Sequence, residues 1–147
     1  MFMGKVFKDY PITEITLRKF ERPFDEDRKS MIRKFCISIG LLQPGDSRDV
    51  VVDIVNLFVD KKNERQILSS KEIEHILKEN RSEGVAGSNI RRQILRLERI
   101  GLVEKWNKGY RLREFLDLTT LLKEHIKPFL IEPTFNRILE YANKIDK

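Results

Sequence analysis

Apolar residues recur at helical spacing along most of this chain, broken by short turn-forming stretches. In "DEDRKSMIRKFCISIG", Ile32, Phe35, Cys36 and Ile39 stand at i, i+3, i+4 and i+7. That spacing predicts a helix from about Asp25, with acids in its first turn and Gly40 as its stop. "LLQPGDS" reads as a turn. Ser47 and Asp49 then open a second helix, whose stripe is Val51, Ile54, Val55 and Phe58 and whose end is the polar "DKKNE". "QIL" at 66–68 suits a short strand, Ser70 an N-cap, and Ile73, Ile76 and Leu77 the inner face of a short helix. After the glycine-containing turn "RSEGVAG", Ile90, Ile94 and Leu97 predict another amphipathic helix closed near Ile100–Gly101.

The period changes at "LVEKWNKGYRLR". Two short runs flank Asn107-Lys108-Gly109, where Asn and Gly tolerate the positive φ of a tight hairpin turn. Alternation puts Tyr110 and Leu112 on one face of the return strand and Arg111 and Arg113 on the other. Helical spacing resumes over 117–127 with Leu118, Leu121, Leu122 and Ile126. Pro128 and Pro133 are expected to interrupt it before a last helix bearing Phe135, Ile138, Leu139, Ala142 and Ile145. Residues 5–22 alternate in part and suit a short strand or an extended arm. The fold class is mainly α with a small β-hairpin, an α+β arrangement.

Charge sharpens this picture. The 147 residues include 29 Lys and Arg against 23 Asp and Glu, a net +6. Between Gly84 and Arg113 stand Arg91, Arg92, Arg96, Arg99, Lys105, Lys108, Arg111 and Arg113, opposed only by Glu98 and Glu104. The excess there equals that of the whole chain, so everything outside this segment is neutral. Generic solvated surfaces intersperse their signs, and a confined basic stripe is the footprint of a nucleic-acid binder.

Other chemistries find little footing. One cysteine, Cys36, excludes an internal disulfide and suits a buried, inert thiol. His75 and His125 have no partner at metal-ligand spacing, and neither a Gly-rich phosphate loop nor a Ser/His/Asp pattern occurs. No metal, no cofactor and no enzymatic activity are expected. No apolar run approaches a membrane span and the start lacks the apolar core of a signal peptide, so a soluble, cytoplasmic protein without a membrane partner is expected.

The run "ILSSKEIEHILKEN…GVAGSNIRRQILRLERIGLVEKWNKGYRLRE" resembles the winged helix-turn-helix transcription regulators of bacteria and archaea over about residues 48–114. Ile90, Ile94, Leu97, Gly101, Leu102 and Val103 fill the pattern that runs in them from recognition helix into wing. The resemblance implies a winged helix over 47–114; the helical extensions, an N-terminal arm and helix at 1–46 and C-terminal helices at 115–147, rest on the apolar pattern alone. It implies sequence-specific binding of double-stranded DNA, with Ser88, Asn89, Arg91 and Arg92 at base edges in the major groove. Arg96 and Arg99 would then meet phosphates, and Lys105, Lys108, Arg111 and Arg113 the backbone or minor groove. Trp106 is expected to pack at the base of the wing, with stacking on the ligand as the other reading. Where such regulators carry a Ser or Thr cap on the recognition helix this chain has Ala86, so either Ser88 caps or the helix starts two residues later. A homodimer through the C-terminal helices is expected, with the N-terminal helix as second choice. The competing function is a winged-helix module that docks proteins, or RNA.

Overall fold

The computed structural model describes residues 13–147. The first part of the expected N-terminal strand or arm lies outside the described residues, and residues 13–27 are extended without pairing into a sheet. They are nevertheless fixed. The Arg18 amide donates to Ser38 O at 2.8 Å, and its guanidinium to Ile37 O at 2.9 Å and Gln43 Oε1 at 2.9 Å. Thr16 lies so close to Gly40 that a Cβ there would sit 2.7 Å from the Thr16 Cβ, and Gly40 has φ +80°. Glycine therefore both ends the first helix and admits the arm.

Helix α1 (Arg28–Ser38) starts three residues later than its acids suggest. Asp27 is the N-cap, its carboxylate accepting from the Ser30 amide at 3.0 Å and the Ser30 hydroxyl at 2.8 Å, so Asp25 and Glu26 stay outside the helix. Helix α2 (Val50–Asn63) buries Val50, Val51, Val52, Ile54, Val55 and Phe58. Neither Ser47 nor Asp49 caps it with a side chain: the Asp49 carboxylate instead takes Arg33 at 3.1 Å and Arg81 at 3.2 Å. Arg81 also holds Asp53 at 2.6 Å, which ties α1, α2 and the turn before the basic helix into one ion network.

Helix α3 (Ser70–Lys78) is capped by Ser69, one residue before the expected Ser70. Ser69 and Glu72 form a reciprocal capping box at 3.1 and 2.9 Å. Helix α4 (Gly87–Arg99) follows, and then the antiparallel hairpin β1 (Val103–Trp106) and β2 (Gly109–Leu112). The strand expected at 66–68 shrinks to one bridge, Leu68 to Tyr110, closed at 3.0 and 2.8 Å. The hairpin turn has two residues: Asn107 (φ 49°) and Lys108 (φ 70°) hold the positive φ, and Gly109 does not. Gly109 is needed for space instead, because a Cβ would collide with Ile67 Cγ2 and the Leu68 carbonyl.

The C-terminal part departs most from expectation. Helix α5 (Leu118–Leu121) runs without a break through a π-helical segment (Leu122–Ile131) into α6 (Glu132–Asp146). Pro128 interrupts nothing. In α-geometry its ring would strike the carbonyl four residues back; the wider π turn moves that carbonyl away, and bonds such as Glu132 N–H to Lys127 O continue the spiral. Pro133 sits in the first turn of α6, where no amide is missed.

A single apolar core joins Ile32, Cys36 and Ile37 of α1, the inner face of α2, Ile73 of α3, Ile90, Ile94 and Leu97 of α4, Leu112 of β2, and Leu121, Ile126 and Leu130. It therefore takes residues from all three stretches into which the sequence divides. α6 contributes none. No helix of the described residues is long and apolar enough to cross a membrane.

Gly109→Ala is expected to destabilise the fold by about 1–3 kcal/mol, because the bridge to Leu68 must open to admit the methyl group. Gly45→Ala is expected to cost about 1 kcal/mol, from backbone conformation alone, as φ is +79° and nothing lies within 4 Å. Chemical denaturation of the two variants checks the order; equal losses would mean the bridge is not tight.

Candidate nucleic-acid interface

Helix α4 is strongly two-faced. Ile90, Ile94 and Leu97 are buried, while Ser88, Arg91, Arg92, Leu95 and Arg99 are exposed. Its N-cap is Ala86 with no side-chain cap, so Ser88 does not cap, and the helix starts no later than Gly87. Asn89 stabilises the entry instead: its amide nitrogen donates to Gly84 O at 2.9 Å, and its oxygen accepts from Gln93 at 3.2 Å and Arg92 at 3.4 Å. Gly87 admits Glu74 of α3 and Arg91, since a Cβ would lie 2.9 and 3.1 Å from them. Glu74 is hydrogen-bonded to Lys78 at 2.6 Å, which holds its carboxyl below the usual range, with Arg91 and Lys71 adding to the effect.

The eight basic residues of the segment do not stand in one condition. Arg96 turns back onto the body, donating to Leu41 O at 2.8 Å, Gly40 O at 3.4 Å and Gln93 Oε1 at 2.7 Å. It closes the carbonyl end of α1 onto α4. Arg111 is paired with Glu104 at 2.8 Å and lies between two rings, its guanidinium 4.3 Å from the Trp106 centroid and 4.8 Å from that of Phe115. Arg113 reaches the same Glu104 at 3.4 Å. The alternation expected of the return strand holds in part: Leu112 is buried and Tyr110 half-buried, but Arg111 and Arg113 fold onto Glu104 of the facing strand.

Five cations remain. Arg91, Arg92, Arg99, Lys105 and Lys108 are exposed, and none forms an ion pair among the described residues. Three lie on the outer face of α4 and two on the hairpin. Trp106 does not pack at the hairpin base. It is 52% exposed, with Arg111 on its ring, which leaves much of the indole available for contact.

Two further groups border this surface. Gln93 lines the cleft between the first half of α4 and the loop before α2, and so does Arg48, whose side chain is 89% exposed. Arg48 lies outside the charged segment and beside Asp46, to which it is bonded at 3.2 Å, so charge counting along the chain passes over it. Cys36, at the back of the site, is fully buried, and that burial pushes its thiol up to about 12 against the pull of Arg96 and Arg33. His75 and His125 stand apart, beside Glu79 and Glu114 respectively.

Arg96→Ala is expected to lower the melting temperature by several degrees, because it strands two backbone carbonyls that the guanidinium satisfies, while Arg91→Ala leaves stability within about 0.5 kcal/mol. Calorimetry of both variants tests the division between engaged and free arginines; a stable Arg96→Ala protein would return Arg96 to the free set.

No family model, no curated protein and no solved structure matches this chain.

Proposed function

We propose that the protein binds double-stranded DNA in a sequence-specific manner as a winged-helix transcription regulator of the cytoplasm, with α4 as recognition helix and the β1–β2 hairpin as wing. The observation that carries this reading is the set of exposed, unpaired cations on these two consecutive elements of an otherwise neutral chain. The element order supports it: α2, the Leu68 bridge, α3, a turn, α4 and the hairpin follow one another as in a winged helix. In this assignment Arg91 and Arg92, with Ser88 and Asn89, face base edges, and Arg99, Lys105 and Lys108 neutralise phosphates. Asn89 is the least free of the four, since both ends of its amide already hold the helix entry. Arg96, Arg111 and Arg113 act by shaping the surface, and no catalytic step belongs to the proposal.

One observation favours a second reading, a module that docks another protein. Leu95 is 42% exposed at the middle of the outer face of α4, and the Trp106 indole stands beside the wing cations. Apolar groups of this kind suit a protein partner better than a phosphate backbone.

Retention on duplex DNA is expected to fall with salt, with a log–log slope of about −2.7 as Arg99, Lys105 and Lys108 each neutralise one phosphate. A flat titration would overturn the electrostatic reading. Single-stranded RNA of equal length is expected to bind less tightly at every salt concentration; the reverse order would assign the surface to RNA.

Arg91→Ala or Arg92→Ala should cost about 1–3 kcal/mol on the preferred duplex and relax the base choice there, whereas Lys108→Ala should weaken all duplexes alike. Binding isotherms on specific and scrambled duplexes check this; an equal loss on both for every variant would show that α4 grips without reading.

A further inference from the structure

α6 has no buried residue, yet five of the exposed large hydrophobic side chains among the described residues lie on it. Phe135, Ile138, Leu139, Tyr141 and Ile145 are between 43% and 79% exposed. Phe135, Ile138, Ala142 and Ile145 are spaced 3, 4 and 3 residues apart, the a/d repeat of a two-helix seam, with Leu139 and Tyr141 on its flanks. Arg137, Glu140, Asn143 and Lys144 fill the opposite arc, where Arg137 and Glu140 pair at 2.9 Å. A face with this period fits another helix better than it fits a flat surface or a small ligand.

We propose that α6 pairs antiparallel with α6 of a second copy of this chain. Three observations select that occupant and that direction. The five large side chains offer roughly 600 Å² per copy, near the ~800 Å² per partner of a standard interface, so a like helix is enough to cover them. Antiparallel pairing matches large with small: Phe135 faces Ile145 and Ile138 faces Ala142 in the layers, whereas parallel pairing would set Ala142 on Ala142 and leave a void. Charge decides the rest. Residues 132–147 hold Arg137, Lys144 and Lys147 against Glu132, Glu140 and Asp146, so the body ahead of α6 carries the whole +6. Parallel helices would bring two such bodies together at one end. Antiparallel helices of 15 residues place them at opposite ends of a seam about 22 Å long. In that register Lys147 comes within one residue of level with Glu132 across the pair, nearer to it than Asp146, so opposite charges meet at each end of the seam.

The pairing does not depend on what α4 binds. It refines the C-terminal interface expected from the sequence to α6 alone, because Leu121, Ile126 and Leu130 belong to the core. For the same reason a chain cut after Glu114 would lose core residues, and exposed point substitutions are the sound test. Sedimentation equilibrium of the full chain is expected to show a dimer at micromolar concentration. Phe135→Glu and Ile138→Glu should each raise the dissociation constant about 100-fold with the melting of the monomer unchanged. A full chain that is monomeric at all accessible concentrations, or a dimer indifferent to both substitutions, overturns the proposal. Direction is read by oxidation. Ile138→Cys chains mixed with Ala142→Cys chains should yield a mixed disulfide, and neither alone should cross-link, Cys36 being fully buried. Self-cross-linking of each variant by itself would show a parallel pair and overturn the antiparallel assignment.

Discussion

Enclosure of α2 is the constraint on which the rest of the structure depends. With Val50, Val51, Val52, Ile54, Val55 and Phe58 all buried, this helix is apolar around most of its circumference and must be covered on several sides. α1, α3, α4 and β2 all pack on it. Its polar start is closed in a different way: Asp49 and Asp53 hold Arg33, Arg81 and Lys29, which ties the turn after α3 to the first turns of α2. The direction in which α4 leaves that turn follows from this closure, and with it the direction in which Arg91 and Arg92 face solvent.

The surface of α4 and the hairpin shows how one residue type can serve two ends. Arginine is a strong donor to carbonyls and a good partner for rings, as well as a long-range positive charge. Arg96 and Arg111 are engaged in the first two capacities, which stiffens the helix–loop contact and the hairpin. Arg91, Arg92 and Arg99 keep the third. In the proposed reading, a rigid frame lowers the ordering cost when the free cations meet DNA, and the engaged arginines would contribute to binding without touching it.

The long C-terminal spiral combines two functions in one element. Its first half is held by the core through Leu121, Ile126 and Leu130, and the π geometry lets it pass Pro128 unbroken. Its second half inherits that direction and projects an apolar face that no other described residue covers. Had Pro128 broken the helix, α6 would have been free to fold back over its own core.

Much of the architecture was written in the sequence. Periodic apolar positions set the helices because burial acts on every turn alike, and the change to alternation at "LVEKWNKGYRLR" marked the hairpin for the same reason. The concentration of positive charge between Gly84 and Arg113 is also a property of the chain alone. Helix ends were less legible: Asp27 and Ser69 rather than their neighbours became caps, since a cap depends on which oxygen reaches an amide once the first turn has formed. Only the tertiary structure decided which arginines stay free, because Leu41 O, Glu104 and the Trp106 ring are brought to Arg96 and Arg111 by packing, from positions that no local pattern relates to them. It likewise decided that Gly109 serves closeness rather than positive φ, that Trp106 stands in water, and that Pro128 passes through a helix. Each of these outcomes depends on what lies across space from the residue, which the order of the chain alone does not state.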